Sequence, residues 1–150
     1  MVTFVGTQSD FEEALKALVE LEYDAAEAYE AGINRIENEE YKMKIISFMQ
    51  DHLRHIKELT ELLKTHDIIA PSGPSLGKQW ITKGKVILGN LVGDGAILLA
   101  LKSNEIDTNT AYNRLKNHEH IWPDAKETIA RGLLDEHRHK KWLESILDSE

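Results

Sequence analysis

Apolar residues return every three or four positions along most of the chain, and the pattern breaks in three places. A helical period of about 100° per residue turns each run into one apolar face. The first run follows "SDFEE", where Ser9 with Glu12 three residues on has the form of a capping box. It predicts a helix to about Ile36, with Phe11, Leu18, Leu21, Ala25, Tyr29, Gly32 and Ile36 on its apolar face. The second run predicts a helix from about Asn38 through Leu63, facing inward through Ile45, Phe48, Met49, Leu53, Ile56, Leu59 and Leu63. "HDIIAPSGPSLGKQW" then interrupts, punctuated by Pro71, Gly73, Pro74 and Gly77. A third helix begins between Ile81 and Gly95, where four glycines weaken helical propensity, and is firm from Ala96 to Asn117. Its face is Leu98, Leu101, Thr108, Tyr112 and Leu115. "HEHIWPDAKE" is a turn with Pro123 near the first turn of a fourth helix, which reaches about Leu147 through Ile129, Leu133, Leu143 and Leu147.

The connections run short, long, short. Short links make the first two helices antiparallel neighbours, and the last two likewise. The long middle link is able to cross a bundle lengthwise. The expected fold is an all-α four-helix bundle, two antiparallel hairpins joined by a long crossover, with residues 1–150 forming one domain.

Each apolar face carries ionisable residues near its middle. Glu22 lies between Leu18 and Tyr29 in angle, His52 at the centre of the second face, and His55 at its margin. Glu105 lies within the third face, Glu136 is central on the fourth, and His139 is at its margin. Asp24 and Glu27 fall at the edge or outside. At about 1.5 Å rise per residue, groups near mid-helix can meet at one level. Carboxylates buried together repel, and each alone would tend to protonate. Two divalent ions would offset three such carboxylates, and histidines would add neutral nitrogen ligands. A mixed oxygen and nitrogen set suits iron or manganese better than structural zinc.

The chain also repeats itself weakly. Glu22 with Tyr29 and Glu105 with Tyr112 share one spacing, and "DHLRH" answers "DEHRH". A two-fold relation between the hairpins would place like helices diagonally across the core. Tyr29 and Tyr112 read as core residues with a buried hydroxyl partner, which a ligand carboxylate can supply. "HEH" at 118 to 120 reads as an exposed turn, and Trp142 lies off the core face.

Composition narrows the function. The chain has 26 acidic and 18 basic residues, a formal charge of -8, which argues against nucleic acid and gives no reason to expect anionic lipid as a partner. Its lack of cysteine excludes disulfides, thiolate zinc sites and a rubredoxin-type iron centre. "VILGNLVGDGAILLAL" is too polar and short for a membrane span, and the opening residues lack a secretory pattern, so a cytoplasmic location is expected. "GPSLGKQ" lacks the strand and hydroxyl of a phosphate loop.

These residues give the chain a pattern that resembles the ferritin-like di-iron carboxylate superfamily, in particular small rubrerythrin-like and bacterioferritin-like bundles. The resemblance covers nearly the whole chain. It implies one glutamate ligand each from the first and third helices, matched by Glu22 and Glu105, and a Glu-x-x-His pair from the second and fourth. Glu136 and His139 match the fourth-helix pair, and His55 matches the histidine of the second. His52 stands where the family usually has a glutamate, which removes a charge and a bridging option. Asp51 is turned about 100° away and does not replace it.

The resemblance implies two iron ions, with manganese or another divalent metal as alternatives. It also implies an oxidoreductase acting on ferrous iron or on dioxygen or peroxide, with an external electron donor. A homodimer is the expected assembly. With no fifth helix after "WLESILDSE", a storage cage is not expected. The alternative is a non-catalytic helical scaffold with a vestigial or structural metal site, and His52 is the feature that favours it.

Overall fold

The computed structural model describes residues 3–74 and 93–149. Among the described residues four α-helices carry the fold: α1 Phe11–Ile33, α2 Glu39–Thr65, α3 Asp94–Lys116 and α4 Lys126–Asp148, with a 3₁₀ turn Pro123–Ala125 leading into α4. No strand occurs among the described residues. The architecture is an all-α four-helix bundle.

The helices start where local chemistry satisfies their first N–H groups. Asp10, not Ser9, caps α1 by accepting the Glu12 N–H at 3.1 Å, and Glu12 and Glu13 add negative charge to its first turn. Asn38 caps α2 by accepting the Tyr41 N–H at 3.1 Å. The α3 cap is Gly93 at φ 96°, a left-handed conformation that suits glycine. Any earlier helical turn expected from Ile81 onward falls on 75–92, outside the described residues, as does Trp80.

Asp94 accepts the N–H groups of Glu37 and Asn38 at 2.8 and 2.9 Å. The start of α3 is thereby tied to the start of α2, so the two helices run parallel. α2 spans 27 residues, about 40 Å, and the link to α3 has to cover that length. The hairpins α1–α2 and α3–α4 are each antiparallel and closely packed. α1 also borders α3, and α2 borders α4. Like helices are therefore neighbours, not diagonal partners as the repeat suggested. The lengthwise crossover is the reason: it lays the second hairpin beside the first with equivalent helices antiparallel.

The core divides into two apolar clusters. One gathers Phe11, Leu15, Leu18, Leu59, Leu63, Tyr112, Leu115 and Ile129; the other gathers Tyr29, Ile45, Phe48, Leu98, Leu101 and Leu143. The residues between them in sequence and height are Glu22, His52, His55, Glu105, Glu136 and His139, all at most 2% exposed. The expected face of α2 was too wide, since Leu53 is 49% exposed and Met49 only partly buried. Asp24 departs the other way and is buried against α3. No described helix is long and apolar enough to cross a membrane.

Gly132 of α4 makes room for Tyr112. A Cβ there would sit 2.4 Å from Tyr112 Cε1 and 3.0 Å from Cζ, and the buried ring has nowhere to swing. Gly132→Ala is expected to destabilise the protein by about 1–3 kcal/mol, the usual range for overpacking. Thermal denaturation of the metal-free protein should show a melting point lowered by about 2–4 °C per kcal/mol.

Candidate metal centre

α1 presents Glu22, α2 presents His52 and His55, α3 presents Glu105, and α4 presents Glu136 and His139. Ligand atoms of Glu22, His52, His55 and Glu136 lie within 4.8 Å of one another, and so do those of His52, Glu105, Glu136 and His139. These two buried quartets have the donor types and spacing to hold divalent ions. All six residues singled out from the sequence are brought together.

The two shared residues face both ways. His52 Nδ1 is 3.0 Å from Glu22 Oε1, and its Nε2 is 3.0 Å from Glu105 Oε1. Glu136 Oε1 lies 3.4 Å from His52 Nδ1 and 3.3 Å from His55 Nδ1, while its Oε2 lies 3.5 Å from His139 Nδ1. His55 Nδ1 meets Glu22 Oε2 at 2.7 Å, and His139 Nδ1 meets Glu105 Oε1 at 3.2 Å.

The outer nitrogens of the marginal histidines are held across the α2–α4 seam. His55 Nε2 donates to Asp135 and His139 Nε2 donates to Asp51, both at 2.8 Å. Arg54 donates to Asp135 at 2.7 Å and Arg138 to Asp51 at 2.8 Å. Each bond from the outer N–H to an aspartate leaves Nδ1 pointing at the carboxylate cluster. Two tyrosines complete the set in crossed fashion: Tyr29 donates to Glu105 Oε1 at 2.6 Å, and Tyr112 to Glu22 Oε2 at 3.2 Å. Thr108 Oγ lies 3.1 Å from Glu136 Oε2, and Asn109 Nδ2 donates to the backbone carbonyls of Glu105 and Glu136 at 2.7 and 3.0 Å. This ties α3 to α4 at the height of their ligand glutamates.

Charge is distributed unevenly. Burial alone would push Glu22 up, but His52 and His55 beside it hold it down at about 2. Burial likewise opposes ionisation of Glu105, and hydrogen bonds from His139 and His52 hold it well below the usual range. Burial and the Glu105 charge push Glu136 up to about 7. Burial disfavours charged imidazoles, yet the surrounding carboxylates raise His55 to about 11, His139 to about 9, and His52 well above its ordinary value. Three raised imidazoles thus stand among two firmly ionised carboxylates and the readily protonated Glu136, so carboxylate repulsion by itself does not demand an ion.

What points to an ion is the donor geometry. Glu136 Oε1 is fully buried and has no hydrogen bond, although two imidazole nitrogens stand within 3.4 Å of it. Atoms about 2.1 Å from one ion and at right angles lie about 3 Å apart, the spacing these donors have. The residues fit a divalent metal.

Asp51 and Asp135 were missed as supports because each lies about one residue step, roughly 100°, off the inward face. The signal was the repeat itself: "DHLRH" and "DEHRH" share Asp, Arg and His at the same positions. His118, expected to be exposed, is partly covered. It donates to the Gln8 carbonyl at 2.8 Å and packs its edge on Phe11.

No protein-family model matches the chain, and no curated protein matches it. Among solved structures, the conserved hypothetical protein Rv2844 from Mycobacterium tuberculosis is similar in fold, with a TM-score of 0.76 at 12% identity, over 93% of this chain and 92% of that one.

Proposed function

We propose that this bundle is a ferritin-like dinuclear metal protein, an oxidoreductase acting on ferrous iron or on dioxygen or peroxide. The observation that carries the reading is the pair of buried quartets that share His52 and Glu136. Glu22 and His55 would hold one ion, and Glu105 and His139 the other. Glu136 would offer one oxygen to each ion. His52 presents a different ring nitrogen to each side, and as a neutral imidazole it would offer a lone pair to only one ion, its other nitrogen keeping the proton. Redox-active ions, iron first and manganese second, supply the electron transfer that these side chains cannot perform alone.

The chain's own residues set the conditions. The apolar clusters above and below exclude bulk water from the charged layer. Asp51 and Asp135 fix the tautomer and tilt of the two marginal histidines. Tyr29 and Tyr112 donate to Glu105 and Glu22 and orient those carboxylates. Without cysteine the chain offers no rubredoxin-type relay, so reduction of dioxygen or peroxide would draw its electrons from ferrous iron or an external donor.

One observation favours a second reading, a scaffold without turnover. His52 sits between Glu22 and Glu105 as a cation would, closing the network without metal. Mixing anaerobically iron-loaded protein with oxygen or peroxide separates the two. The oxidoreductase reading expects a rapid visible absorbance change with loss of the ferrous form; bound iron with no oxidant response favours the scaffold.

A further inference from the structure

At the surface end of the α2–α4 seam, Lys44, Arg138, Lys141, Trp142 and Ser145 line a depression of about 360 Å³. Three cations converge there on a protein whose formal charge is -8. Lys44 and Lys141 have no ion pair among the described residues; Lys44 stands over the Phe48 ring, 5.8 Å from its centroid. Arg138 is half spent: its Nη2 makes both bonds to Asp51 and Asp135, leaving its other nitrogens without a carboxylate. Trp142, half-buried, gives the depression an aromatic wall.

That wall leads inward. Trp142 packs edge-on against Phe48 with centroids 5.6 Å apart, and Phe48 stacks on His139 at 4.2 Å. Tyr41 also packs edge-on with Trp142, their centroids 5.9 Å apart. An occupant of the depression would therefore lie two rings from His139. Uncompensated ammonium groups beside an indole select against neutral and cationic molecules. They suit a ring that stacks on Trp142 and carries an anionic group for the lysines and Arg138. The volume fits a molecule of mononucleotide size, at the small end of ligand sites.

We propose that this depression is a binding site for a planar aromatic anion bearing a phosphate or carboxylate. The site stands on the two lysines, Arg138 and Trp142, and is independent of whether the buried centre holds metal.

The test uses the whole metal-free chain at about 0.15 M salt, where long-range attraction is screened. Flavin mononucleotide is the probe, read by quenching of its own emission and by calorimetry. Riboflavin, with the ring but no phosphate, and pyrophosphate, with the charge but no ring, are the comparisons. Flavin mononucleotide is expected to bind more tightly than either. Lys44→Glu combined with Lys141→Glu is expected to weaken it about tenfold or more, since two charge-assisted contacts become repulsive. Lys57→Glu with Lys64→Glu makes the same change of net charge elsewhere on α2 and should leave binding within about twofold. Lys44→Gln with Lys141→Gln serves if the double charge reversal does not fold. Riboflavin or pyrophosphate binding as tightly as flavin mononucleotide, or equal losses in both lysine pairs, would overturn the proposal.

Discussion

Glu136→Gln is expected to cut anaerobic ferrous binding from about two ions per chain to at most one, while barely changing the metal-free protein. Glu136 belongs to both quartets, with Oε1 turned to one and Oε2 to the other. A neutral amide keeps the shape and an oxygen for the Thr108 hydroxyl, but loses the charge and one donor. The metal-free cost is small for two reasons. Burial beside Glu105 already pushes Glu136 up to about 7, so it is often neutral, and its Oε1 has no hydrogen bond to lose. A change within about 1 kcal/mol is expected in the absence of metal. Adding Glu105→Gln should remove binding at the second quartet as well, beyond the roughly 10–100-fold loss that follows from disturbing a ligand's supporting partner alone.

The same groups give binding a pH dependence of fixed sign. His55 and His139 are raised to about 11 and about 9, so both are protonated at neutral pH in the metal-free chain. An ion needs their bare nitrogens, and Glu136 ionised. Protons must leave as metal enters, so wild-type affinity should rise from pH 6 toward pH 9, with proton release visible to an indicator dye. Two-ion binding by Glu136→Gln equal to wild type would remove Glu136 from the bridging role.

His52→Glu is expected to move stability in opposite directions with and without metal. In the metal-free chain His52 stands 3.0 Å from both Glu22 and Glu105 and 3.4 Å from Glu136. Replacing this buried cation with a fourth carboxylate leaves acids facing acids. Breaking a buried ion pair costs about 3–5 kcal/mol, and the metal-free melting point should fall by about 6–20 °C. With metal, the added carboxylate becomes a donor to the ions. The stabilisation on loading should then exceed that of the wild type, because tighter binding to the folded state raises stability by mass action. Calorimetric melting with and without manganese checks both signs. A metal-free melting point that rises in His52→Glu would show that His52 is not the cation of the layer.

The centre was legible because helical geometry is a strict ruler. Glu22, His52, Glu105 and Glu136 each fall inside an apolar stripe near mid-helix, and a short-long-short link pattern leaves few ways to stack four such stripes. The angular ruler says which side of a helix is buried, but not which helix stands beside it. For that reason the neighbour relation of α1 with α3 was missed, and with it the crossed bonds Tyr29–Glu105 and Tyr112–Glu22. Asp51 points about 100° off the face and Asp135 holds the same place in the repeat, yet a seam between two helices is reached from such positions. Asp24 shows the opposite error: an edge residue by angle, it is buried because α3 packs against that edge, and burial with Glu27 and Asp107 nearby pushes it up to about 7. Leu53 lies at the edge of the face that the helical period gives α2, and it is turned to solvent.

An anomalous-scattering map of crystals loaded with manganese or ferrous iron shows directly whether the two quartets around Glu136 bind ions. Two peaks are expected, one among Glu22, His52, His55 and Glu136 and one among His52, Glu105, Glu136 and His139. A fully loaded crystal with no peak in either quartet, and the His52 ring still bonded to Glu22 and Glu105, would contradict ion binding there.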